Sequence, residues 1–510
     1  MRLIVWLSCL ALQLCCPALL ADDMTFDGLD EPTEHFSTIH GSVTIDGVQV
    51  DYLATVGQMT LRDDEGEPTA KMTYVSYERR GVERKDRPVT FSFNGGPGSA
   101  SVWVHLGAFG PKKALLDDEG FPLGPPPGRL VDNEYSLLDA TDLVFIDPVA
   151  TGWSRPVKGQ DEGQFFGYSD DVAHVGEAIR LWISQNHRWT SPKFIAGESY
   201  GTTRAAGLAE YLQDRHGMYL NGLCLISSVI NWQTKVFNIG NDLSHILILP
   251  TFTATAWYHG KLDEKYGDLE SALREAEDFA LGDYASALML GDRLEGERRA
   301  DIRRRLAELT GLSEQYLEGV DLRVEIFRFA KELLRGESKT VGRLDSRYTG
   351  HDRDDGGERF EFDPSGAVVT AYYVSLMKGY LRDELGFQSD EVFRHSAGAR
   401  VRPWNYHEKD RTEGYNTNAY ANYAETLRAA MHKNPHLKVQ VMSGYYDLAT
   451  PYFASDYTID HMQLAPELRG NIEHVYYEAG HMMYVRRADH EKFRRDYLRL
   501  LESALASNSE

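Results

Sequence analysis

Ser199 stands between two glycines in FIAGESYGTT, residues 194–203, where a short apolar run gives way to a helical stretch. A glycine on each side clears space for a side chain that protrudes from a sharp strand-to-helix turn, the geometry of G-x-S-x-G. Such a serine is a nucleophile only with a base, a carboxylate that orients the base, and donors for the developing oxyanion. The chain offers the first two in order. Asp447 closes the apolar run of VQVMSGYYD, and His481 follows a short strand and a glycine in VYYEAGHMMY. Each alone is ordinary: an Asp after a strand is usually a turn residue, and the chain holds 17 histidines. The ordered trio Ser199, Asp447 and His481, each just past an expected strand end, points to acyl transfer. FNGGPGSA, residues 93–100, adds two adjacent glycines after a buried strand. Backbone N–H groups there can face a site with no Cβ in the way. With the N–H of Tyr200, next to the serine, they would make an oxyanion hole. No Lys-Ser/Thr pair closes that loop, which disfavours a phosphate cradle.

These residues need a sheet to hold them. SVTIDGVQVDYLATV reads as a hairpin about Asp46-Gly47, an antiparallel start to the sheet. PVTFSF and TDLVFIDP are strands, the second a continuous apolar run suited to burial on both faces. SDDVAHVGEAIRLWISQNH has a helical stripe with Ser169 as its expected cap. A strand at 193–197, a helix at 201–215 and a strand at 222–230 follow, and the alternation predicts a mostly parallel α/β sheet. After Asn231 the rhythm changes. RRADIRRRLAEL and LRVEIFRFAKELL have helical spacing, as does a stretch near 368–384, while RLDSRYTGHDRDDGGERFEFDP reads as a polar loop. The α/β pattern returns at HLKVQVMSGYYD. The expected organisation is a segment 1–21 that is removed, sheet-domain parts at 22–231 and 431–510, and a mainly helical cap inserted at 232–430.

NGGPGSASVWVHLGAFGP, PVATGWS, GESYG, the Asp447 strand end and AGHMMY together resemble the serine carboxypeptidase family, peptidase family S10. The resemblance spans about residues 87–232 and 436–490. It implies an α/β-hydrolase fold and a serine carboxypeptidase that releases C-terminal residues through an acyl-enzyme. Carried over by position, Ser199 resembles the nucleophile, His481 the base and Asp447 its orienter. Gly96 and Tyr200 match the oxyanion donors. Asn94, Gly95 and Glu198 match positions that hold the free C-terminal carboxylate. The chain departs from the family pattern at Ser92, Ser99, Ala150 and Ala108, the last standing where some members carry a second acid-recognition glutamate. Glu198 must meet the substrate carboxylate as an acid, because two carboxylates approach closely only if one is protonated. Without a second glutamate, a weaker acid preference is expected. An acyltransferase or an aminopeptidase on the same triad is the alternative. A non-catalytic binding protein is disfavoured, since every triad position is filled.

Composition sets the outer limits. The chain has 510 residues and a formal net charge of −23, spread along its length, which argues against nucleic acid and anionic membranes as partners. The expected partners are peptides with a free C-terminus, with no metal and no cofactor. MRLIVWLSCLALQLCCPALLADD reads as an export signal cleaved after Ala21, leaving no stable membrane span and a secreted or periplasmic protein. Cys9, Cys15 and Cys16 would leave with it. Cys224, in an apolar run, would remain as one buried thiol without a disulfide.

Overall fold

The computed structural model describes residues 36–407 and 420–506. The expected export signal and its cleavage site lie outside the described residues. The chain begins in two long antiparallel strands, β1 (Phe36–Ile45) and β2 (Val48–Arg62), joined through Asp46 and Gly47. Both turn residues have positive φ, 48° and 77°, as a two-residue hairpin that follows the strand twist requires. β3 (Pro68–Arg79) pairs antiparallel with β2, and β5 (Asp142–Ile146) antiparallel with β3. From there every neighbour is parallel: β4 (Val89–Phe93), β6 (Lys193–Glu198), β7 (Gly222–Ile226), β8 (Lys438–Gly444) and β9 (Ile472–Tyr477). The order across the ten-stranded sheet is β1-β2-β3-β5-β4-β6-β7-β8-β9, with the two-residue Arg155–Pro156 strand beside β3.

β4, β5, β6 and β7 are buried along their whole length because hydrophobic layers cover both faces. Helices α1 (Tyr168–Gln185) and α2 (Tyr200–His216) pack on one face, with Trp182, Ile179 and Leu208 in the core. The C-terminal helix α3 (Arg487–Ala506) packs on the other, through Phe493, Tyr497 and Leu501. A mostly parallel sheet with helices on both faces and an antiparallel N-terminal edge is the α/β-hydrolase fold.

Between β7 and β8 the described chain is mainly helical. It has its own apolar core around Leu247, Phe252, Leu306 and Phe329. The helix Leu243–Tyr258 is apolar on nearly every side, and most of its residues are buried. Among the described residues no helix is long and apolar enough to cross a membrane.

Two local expectations are corrected. α1 starts before Ser169, at Tyr168, with Gly167 at its N-cap and no capping side chain. Gly167 has φ 152°, so glycine sets the turn there. β7 ends at Ile226, because Ser227 turns into positive φ (51°). The stretch after Arg343 is polar and irregular as expected, with Asp345, Ser346, Arg347 and Tyr348 buried and most of 349–362 exposed.

Candidate active site

Every residue of interest sits at the C-terminal end of a parallel strand. Asn94 follows β4, Ser199 follows β6, Asp447 lies three residues past β8, and His481 lies four past β9. Ser199 is the N-cap of α2, with φ 61° and ψ −129°. A non-glycine residue there stores about 1–3 kcal/mol of strain, so the surroundings must enforce it. They do so through three bonds. The Ser199 N–H donates to the Ile226 carbonyl at 2.9 Å, and the Ser199 carbonyl accepts from the Thr202 N–H and hydroxyl. The turn is crowded as well as strained. A Cβ on Gly95 would lie 2.5 Å from the Gly201 nitrogen, so this approach requires glycine.

His481 and Asp447 form a buried pair, with Nδ1 2.6 Å from Oδ2 and exposures of 5% and 0%. Asp447 is fixed by further donors: the Ala449 and Thr450 N–H groups to Oδ1 and the Thr450 hydroxyl to Oδ2. The His481 backbone is held from both ends. Its N–H donates to the Leu344 carbonyl at 2.6 Å, and its carbonyl accepts from the Ser227 hydroxyl at 2.7 Å. With Nδ1–H committed to Asp447, the other ring nitrogen is the basic one.

One cavity of about 430 Å³ unites the set: Ser199, His481, Gly95, Gly96, Asn94, Glu198 and Tyr200 all line it. Tyr200 opens α2, so its N–H has no partner within the helix and carries the positive end of the helix dipole. Gly96 sits at φ +107° on the facing loop. The donors predicted at Gly96 and Tyr200 therefore border the same space as the serine.

Glu198 is 3% exposed and fully engaged. Asn94 Nδ2 donates to Oε1 at 2.7 Å, and the Tyr484 hydroxyl donates to Oε2 at 2.5 Å. Asn94 cannot turn away, because its Oδ1 accepts from the N–H groups of Trp103 and Val104. Its remaining amide hydrogen is free for a ligand. Burial, above all, pushes the Glu198 carboxyl up to about 7, against the opposing pull of His481 and the Tyr484 hydroxyl. Ala108 is buried and contributes only a carbonyl, which accepts from His490 and Asn133.

Several contributors carry weak sequence signals. Tyr484 ends the AGHMMY run, but nothing local shows that it reaches Glu198. Arg204, fully buried, donates to Asp171 at 2.8 Å and to the Asn94 carbonyl at 2.9 Å, and so ties α1, α2 and the glycine loop together. Asp345 accepts from the Gly480 N–H at 3.1 Å and pairs with Arg347 at 2.6 Å, beneath the His481 loop. Lys235 and Arg343 reach the cavity from the stretch between β7 and β8.

No curated protein matches the chain significantly. Among solved structures it is similar to juvenile hormone epoxide hydrolase from the silkworm Bombyx mori, at 11% identity and TM-score 0.36, covering 90% of this chain and 80% of that one. It is also similar to a soluble variant of monoglyceride lipase from Saccharomyces cerevisiae, at 11% identity and TM-score 0.35, covering 88% and 94%. The family model described as serine carboxypeptidase matches residues 57–490. The chain belongs to the serine carboxypeptidase family and is a serine-type carboxypeptidase, a hydrolase of peptides.

Proposed function

We propose that this carboxypeptidase works through Ser199, His481 and Asp447, that it passes through an acyl-enzyme, and that it is exported. The observation that carries the catalytic reading is the buried His481–Asp447 pair at 2.6 Å, bordering one cavity with a serine on a strained strand-to-helix turn. Ser199 Oγ attacks the last peptide carbonyl and gives its proton to His481. Asp447 holds the ring and stabilises the imidazolium. The N–H groups of Gly96 and Tyr200 receive the oxyanion. The tetrahedral intermediate collapses, the C–N bond breaks, and His481 returns the proton to the leaving amine. Water, deprotonated by His481, then cleaves the ester.

Asn94, Gly95 and Glu198 select the chain end. The free Asn94 hydrogen and a protonated Glu198 can both donate to the terminal carboxylate. In the free enzyme each Glu198 oxygen accepts one hydrogen bond, and a proton on the carboxyl leaves an O–H that can donate to the ligand while those bonds remain. The apolar run before Asp22 supports export.

A fluorophosphonate probe tests the core of this reading. It labels Ser199 in the wild type and leaves Ser199→Ala unlabelled. Ser199→Ala and His481→Ala each lower kcat by about 10⁴-fold or more. Normal turnover by Ser199→Ala sinks the assignment.

A further inference from the structure

The walls of the cavity differ in charge. On one side Asn94 bonds Glu198, the Trp103 N–H bonds Asn94, and His395 and Ser396 close the wall through Trp103 and Ser99. Lys235 and Arg343 line the same cavity from two separate segments. Lys235 ends the 3-10 turn Trp232–Lys235, with its ammonium 5.1 Å over the Trp232 ring. Arg343 sits next to Leu344, whose carbonyl holds His481, and its own carbonyl accepts from the Leu448 N–H. Arg343 therefore lies on the His481 side, and Arg343 and Asp447 are the charges that act on Lys235.

Lys235 has no close anionic partner for its charge. Among the described residues no carboxylate lies within ion-pair distance of Lys235. Arg343 pairs with Asp363 at 3.6 Å, its one ion pair among the described residues, at the long end of ion-pair distance. Burial, and then the neighbouring Arg343 charge, lower the Lys235 ammonium to about 8, against the opposing pull of Asp447. A protein of net charge −23 repels acidic peptides, so two converging cations beside its nucleophile give an anion a local reason to bind.

The assignment of Ser199 and Glu198 above fixes which substrate residue meets them. The leaving residue runs toward Glu198 with its free carboxylate. The penultimate residue, on the acyl side of the scissile bond, extends toward the opposite wall. We propose that Lys235 and Arg343 form a cationic subsite that selects peptides with an acidic side chain on the penultimate residue, the one whose carbonyl Ser199 attacks.

The test compares kcat/KM on N-blocked dipeptide acids ending Glu-Leu, Gln-Leu, Leu-Leu and Leu-Glu. Wild type favours Glu-Leu over Gln-Leu by about tenfold or more, the scale of one charge-assisted hydrogen bond. It shows no such preference for Leu-Glu over Leu-Leu. The Glu:Gln ratio shrinks with added salt and falls toward one in Lys235→Met combined with Arg343→Gln, while Lys235→Arg retains it. Each ratio is taken within one enzyme, so altered folding yield does not enter. Lys235→Glu moves the preference toward a basic penultimate residue. A wild-type ratio near one, a preference tied to the last residue, or an equal loss on all four substrates in the double variant overturns the subsite alone. Absence of release from every substrate overturns the reading on which the subsite rests, and the subsite with it.

Discussion

In the proposed mechanism Glu198 is the residue on which chain-end recognition turns. Its carboxyl is buried beside the nucleophile and pushed up to about 7, so near neutral pH it exchanges between the acid that a carboxylate ligand needs and the anion that repels one. On free-acid substrates kcat/KM falls as pH rises through about 7, and this decline opposes the gain from a neutral His481. Glu198→Gln cannot lose a proton, so the high-pH decline flattens. A pH profile of both enzymes on free and amidated N-blocked dipeptides checks this, and an unchanged profile removes Glu198 from recognition. Stability carries the same signature. The native pKa lies above the unfolded value of about 4.5, so the native state holds the extra proton between those limits. The stability that protonated Glu198 contributes is complete below pH 4.5 and is lost as pH rises through about 7. The stability of Glu198→Gln relative to wild type therefore improves across this window, by up to about 3 kcal/mol, and is flat outside it. Denaturant melts at several pH values read that difference.

At the scale of elements, the base depends on a segment from outside the sheet. Leu344 and Asp345 brace the His481 loop: one carbonyl takes the His481 N–H and one carboxylate takes the Gly480 N–H. Arg347 neutralises Asp345, and its guanidinium also donates to the Glu119 carbonyl. The contact leaves no spare room, since a Cβ on Gly480 would sit 2.5 Å from the Leu344 carbonyl. Asp345→Ala strands a buried arginine and frees the loop, so it costs about 3–5 kcal/mol, measured by urea denaturation, and lowers kcat as well. Gly480→Ala displaces His481 and lowers kcat with a smaller loss of stability. A fully active Gly480→Ala enzyme would show that the brace does not position the base.

At the scale of the whole molecule, the sheet carries Ser199, the glycine loop, His481 and Glu198 at its strand ends, while the stretch between β7 and β8 supplies walls and braces. One apolar cluster lies mainly within the helices, while Val369, Tyr373 and Tyr380 of the same stretch pack into the core on one face of the sheet. Export is argued at this scale too. If residues 1–21 are removed, the mature chain begins near Asp22 and retains Cys224 as its one cysteine, a buried free thiol. Intact mass of the protein from its native compartment, with thiol titration under denaturing conditions, reads both. Retention of residues 1–21 would reverse the cleavage claim.

The sequence by itself determined the α/β class, the hairpin at Asp46-Gly47, and the strand-end positions of Ser199, Asp447 and His481. These are local matters: a glycine pair, an apolar run and a turn residue constrain their own few residues wherever the chain folds. Cap chemistry at Ser169 misled because Gly167, two residues earlier, could take a backbone conformation closed to other residues. Tertiary structure alone decided the rest. Glu198 meets Asn94 and Tyr484, 104 and 286 residues away in the chain, and no spacing rule links them. The apparently polar 343–363 stretch buries Asp345 and Arg347 because each neutralises the other and Asp345 satisfies a backbone N–H of the catalytic loop. The acidity of Glu198 and the unpaired charge of Lys235 follow from desolvation, which depends on the surfaces that close over a group and not on its neighbours in sequence.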